Sequence, residues 1–105
     1  MEQKSIEIKQ VNVTKYLELH VYSEGNINIS DMLSVEYGEK TYYFRPIEVI
    51  VNSVGTTAIL KERGYYARAL SKRKDADYRE LIGKEMSIVT DIEIIKKIDI
   101  ESTCC

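Results

Sequence analysis

The 105-residue chain has no tryptophan, one phenylalanine, one proline and one histidine, and its two cysteines are its last two residues. Each scarcity removes a class of chemistry. One histidine and a terminal Cys104-Cys105 pair cannot supply the ligand spacings of a zinc site. His20 has no cysteine beside it and the chain holds no Gly-x-Ser-x-Gly elbow, so nucleophilic catalysis lacks its usual partners. The five glycines are isolated, which excludes a glycine-rich phosphate loop. Apolar runs extend over only a few residues, too short for a helix that spans a membrane. Met1-Glu2-Gln3-Lys4 leads into no apolar h-region, so no secretory signal is read and a cytoplasmic protein is expected. No cofactor and no metal are expected.

What is present fits a folded domain. Charged residues make up 30% and hydrophobic residues 44%, a balance that separates the chain from disordered ones. Its length allows one domain with a core of its own. That domain is expected over residues 1–103, followed by a flexible Cys104-Cys105 tail. Fourteen Ile, ten Lys and eight Tyr against four Ala are residues of AT-rich codons, which points to a low-GC bacterium or one of its phages. A terminal Cys-Cys also has the shape of a eukaryotic prenylation signal, but nothing else in the chain marks a prenylated carrier.

Short alternating segments broken by turn signals predict antiparallel sheet. In Ser5–Val13 the apolar phase switches from Ile6 and Ile8 to Val11 and Val13, which calls for a β-bulge near Lys9-Gln10. From Tyr16 to Tyr22, Leu17, Leu19 and Val21 share one face, opposite Tyr16, Glu18, His20 and Tyr22. Strands are expected at Met32–Tyr37 and Thr41–Phe44, joined by a hairpin at Gly38-Glu39. Pro46 is expected to end that pairing or to mark an edge. Ile47–Val51 and Thr56–Lys61 follow, hinged at Asn52-Ser53-Val54-Gly55. A helical turn is expected at Tyr78–Ile82, with Asp77 at its N-cap, Glu80 at N3 and Gly83 at its end. Met86–Val89 and Asp91–Ile100 read as strands. The second has helix as its alternative, but its β-branched density favours strand. The fold expected is mainly β: a small barrel or sandwich of about seven to eight short antiparallel strands with one short helical insert. The stretch Ile29–Val35, the Gly38 hairpin and Ile47–Ile50 resemble the opening of an SH3-like or OB-like small β-barrel over about the first half of the chain. Such barrels host many functions, so the resemblance implies a fold and no particular activity.

Charge is distributed unevenly. Residues 61–84 carry eight Lys/Arg and four Asp/Glu, a net of +4, while the remainder carries seven and thirteen, a net of −6. Within an insert at about 63–84, Arg63, Arg68, Lys72, Arg73 and Lys74 run without an intervening acid, and Tyr65 and Tyr66 lie among them. If Tyr65–Lys74 is helical, Arg68 and Lys72 share one face while Tyr66 and Leu70 share another. Tyr65, Tyr66, Arg68, Lys72, Arg73 and Lys74 are therefore the candidate partner-binding residues, because Tyr and Arg anchor interfaces. The competing reading is a solvated surface beside tyrosines that cover the edge of the core. The function expected is a small non-enzymatic binding protein that docks on a protein with an acidic surface, not on a membrane. Its concrete form would be a phage or mobile-element inhibitor of a host protein. The alternatives are nucleic-acid or nucleotide binding, in which cations meet phosphates and tyrosines stack on bases, and an enzyme built from paired carboxylates.

A cysteine pair at the extreme end closes no useful loop. Changing Cys104 and Cys105 to Ser is expected to shift the thermal midpoint by less than about 5 °C, on the order of 1 kcal/mol for a domain of this size. Differential scanning calorimetry under reducing conditions measures it.

Overall fold

The structure is a computed structural model that describes residues 5–13, 17–63 and 78–103. Six strands, β1 (Ile6–Val13), β2 (Leu17–Ser23), β3 (Leu33–Tyr37), β4 (Lys40–Asn52), β5 (Gly55–Arg63) and β6 (Glu85–Ile88), close into an antiparallel barrel in the order β1-β2-β5-β4-β3-β6. A 3-10 turn at Tyr78–Leu81 precedes β6, and a helix α1 (Ile92–Thr103) follows it. Among the described residues no helix is long and apolar enough to cross a membrane.

Alternation builds the core. In β2, Leu17, Leu19 and Val21 are buried while Glu18, His20 and Tyr22 are half-exposed. The β1–β2 register shifts between Ile8 and Gln10, the bulge that the apolar phase switch requires. Ile6 and Ile8 are buried on one side of it, and Val11 packs against the core on the other. Phe44, Leu33, Leu60 and Leu81 complete the interior.

Two expectations about strand count are corrected. Thr41–Phe44 and Ile47–Val51 belong to one strand, β4, which runs through Pro46. Its first part pairs with β3 from Lys40 to Phe44, and its later part pairs with β5 from Tyr43 to Asn52. Pro46 does mark an edge, because pairing with β3 stops at Phe44. The ladder to β5 survives by shifting register between Pro46 and Glu48, which leaves Ile47 as an extra residue. The last segment is helical, against the strand expected at Asp91–Ile100. Asp91 caps it: the Glu93 N–H donates to Asp91 Oδ1 at 2.9 Å. Ile94, Ile95 and Ile98 stand at helical spacing and lie on the more buried side, so cap and apolar seam together outweigh β-branched propensity. Among the described residues, six strands and the helix α1 thus stand where seven to eight strands were expected.

Arg45 fastens α1 to the barrel. Its Nη2 meets Asp99 Oδ2 at 2.7 Å and its Nε meets Oδ1 at 3.4 Å, while Nη1 donates to the Ser30 carbonyl. The β2–β3 loop is tied at its start. The Gly25 N–H donates to Ser23 Oγ at 3.0 Å, and Thr56 Oγ1 donates to the Gly25 carbonyl at 2.9 Å. Gly38 and Gly83 adopt positive φ, 66° and 91°, at the hairpin and after the 3-10 turn, where the sequence places them.

Gly55 meets a different constraint. A Cβ there would lie 2.6 Å from the Ser23 carbonyl oxygen and 2.7 Å from the Tyr22 hydroxyl. Gly55→Ala is expected to destabilise the barrel by about 1–3 kcal/mol through this overpacking, measured by urea denaturation.

Candidate functional site

The candidate binding residues Tyr65, Tyr66, Arg68, Lys72, Arg73 and Lys74 lie outside the described residues, as does the whole stretch Tyr65–Lys74 that a helical reading would divide into two faces. The structure does describe both residues that bracket 64–77, and they reach one end of the barrel. Arg63 ends β5 opposite Tyr43. Tyr78 is buried against Tyr37 and Tyr42, with ring centroids at 5.7 and 6.2 Å. Tyr37 and Tyr42 pack on each other at 6.4 Å. The contacts are tilted or edge-on, the arrangement that ring quadrupoles favour. Glu62, next to Arg63, is buried, 3% exposed and opposite Phe44. Arg63 Nε is buried with no hydrogen-bond partner among the described residues. One end of the barrel therefore combines three tyrosines, a buried carboxyl group and a cation.

His20 lies on the outer wall. Its Nε2 is 3.3 Å from Glu18 Oε1 and 3.2 Å from Asn12 Nδ2. With the ring proton on Nε2 it donates to Glu18; with the proton on Nδ1 it accepts from Asn12. The trio links the outer faces of β1 and β2. No group of three or more His, Cys, Asp or Glu among the described residues could hold a metal ion.

Two open grooves mark the described surface. One, of about 210 Å³, runs across β2, β5 and β4 and is lined by His20, Tyr22, Ile59, Ile50, Glu48 and Lys9 among others. Its walls are mainly apolar. Tyr22 closes one end by donating its hydroxyl to the Val54 carbonyl at 2.8 Å. The second, of about 360 Å³, is polar and lined by Ser34, Glu36, Thr41, Lys84, Glu85 and Ser87. Both are shallow beside the enclosed sites that hold small molecules. Sequence reasoning missed the apolar groove. The signal was the apolar-rich segment Ile47–Val51, in which Ile47 and Ile50 are half-exposed and Val51 more so. Comparison with protein families, curated proteins and solved structures finds no match for this chain.

Tyr78 is the fixed point at which the chain re-enters the described fold. Tyr78→Ala is expected to cost about 3 kcal/mol, as aromatic truncations in cores do, and to speed tryptic cleavage between Arg63 and Arg79. Tyr78→Phe, which keeps the ring contacts, is expected to retain most of the stability and the wild-type cleavage rate.

Proposed function

We propose that the protein is a non-enzymatic binding module in which the closed barrel is the scaffold and the basic, tyrosine-containing insert is the recognition element. The supporting observation is the pair of anchors. Arg63 and Tyr78 bracket residues 64–77 at one tyrosine-lined end of a rigid barrel, and segments mounted on such scaffolds commonly carry function. Charge favours an acidic partner. The insert region is net +4 on a chain otherwise net −6, so it would steer and orient an encounter with a negatively charged protein surface. Tyr65 and Tyr66 would supply contact area at low entropic cost, flanked by Arg68, Lys72, Arg73 and Lys74. An inhibitor that blocks a host protein is the concrete form of this reading. The interleaving of cations with tyrosines favours single-stranded nucleic acid as the second reading.

The test is a pair of charge reversals. Arg68, Lys72 and Arg73 changed together to Glu are expected to abolish partner capture from a low-GC bacterial lysate while the circular dichroism spectrum stays native. Glu18 and Glu48 changed to Lys are expected to leave capture intact. Capture that survives the first and fails in the second places recognition on the outer wall instead. Micromolar binding of labelled single strands with a steep salt slope selects the second reading.

A further inference from the structure

The later half of β4 carries an open edge. Pairing with β3 ends at Phe44, and from Pro46 to Asn52 the strand is hydrogen-bonded only to β5 among the described residues. Alternate residues along this stretch direct backbone N–H and C=O groups away from β5. The side chains are apolar and solvent-facing: Ile47 is 51% exposed, Ile50 52% and Val51 66%. Proteins ordinarily blunt such an edge with lysine, proline or a bulge. Here Pro46 and the bulge at Ile47 guard only its beginning. From Glu48 to Asn52 the edge holds one charge and no cation.

We propose that this edge pairs with the same edge of a second copy of the chain, forming a two-fold antiparallel dimer with β4 against β4. The sequence of the edge, Ile47-Glu48-Val49-Ile50-Val51-Asn52, is self-complementary in one register. With Ile50 opposite Ile50, Val49 faces Val51 and Glu48 faces Asn52. Every cross-strand pair is then apolar with apolar or carboxylate with amide, pairings that stabilise sheets. No other centre does as well. Centring on Glu48 opposes two carboxylates, centring on Val49 sets Glu48 against Ile50, and centring between Val49 and Ile50 sets it against Val51. The Ile50 register also keeps Pro46, which has no N–H to give, outside the paired residues. A two-fold axis normal to the sheet keeps outer residues beside outer residues, so Ile50 of each copy extends the apolar groove of Ile59 and Tyr22. Such an interface is isologous and closed, so it ends at a dimer and does not propagate. It is small, below the standard ~1,600 Å², so association is weak.

Sedimentation equilibrium on the purified protein tests this independently of any partner of the insert. A monomer of 12.1 kDa is expected to give way to a dimer as concentration rises to about 200 µM, the range of a small interface. Hydrogen exchange at residues 47–52 is expected to slow over the same range. Ile50→Lys and Ile50→Glu each set like charges across the axis and are expected to weaken the dimer by about tenfold or more. Equimolar mixing of the two variants is expected to restore it, which a misfolded variant cannot do. A wild-type protein that stays monomeric at the top of the range overturns the proposal. So does a dimer that survives in both variants, or one that leaves 47–52 unprotected; a strand from another protein would then be the occupant of the edge.

Discussion

Barrel closure rests on β4 serving two ladders. A backbone in sheet must find hydrogen-bond partners for every buried N–H and C=O, and in a closed barrel each strand finds them in a ladder on either side. β4 does so by pairing with β3 in its first part and with β5 in its later part, and the extra residue at Ile47 bends it after the β3 ladder has ended. The order β5-β4-β3-β6 depends on that bend. So do the burial of Phe44 opposite Glu62 and of Leu33 opposite Phe44, and the placement of Arg45 where it reaches both Ser30 and Asp99.

The consequence is a division of the surface. One end of the barrel is closed by Tyr37, Tyr42 and Tyr78, where the chain of residues 64–77 is attached. The outer wall of β2, β5 and β4 is a shallow apolar groove that leads to the β4–β5 hairpin, with Val54 at its tip 72% exposed. The first region is basic and aromatic by sequence, and the second is apolar with one carboxylate, Glu48.

Local alternation made much of this legible from residues alone. Leu17, Leu19 and Val21 declared β2, the phase switch declared the β1 bulge, and Gly38 and Gly83 stood at the turns that need positive φ. What was illegible was decided by tertiary pairing. Nothing in the local pattern says that Pro46 lies inside a strand, because its tolerance depends on β3 having ended at Phe44. The isoleucines of α1 fit a period of two nearly as well as one of 3.6. The Asp91 cap and the Arg45–Asp99 pair, 54 residues apart in sequence, settle the matter. The basic insert was conspicuous in sequence for its charge, whereas the tyrosine cluster that holds Tyr78 joins three separate elements and has no local signature.

The tyrosine cluster also separates two properties that usually vary together. The entropic cost of closing a loop grows only with the logarithm of its length, about 0.6 kcal/mol for each doubling, once its ends are held. Arg63 and Tyr78 hold these ends by contacts that belong to the barrel. Were residues 64–77 to lengthen, the added closure cost would be small so long as both anchors remain. A frame fixed in this way would set little limit on the length of the segment between its anchors, and so on how that segment could change.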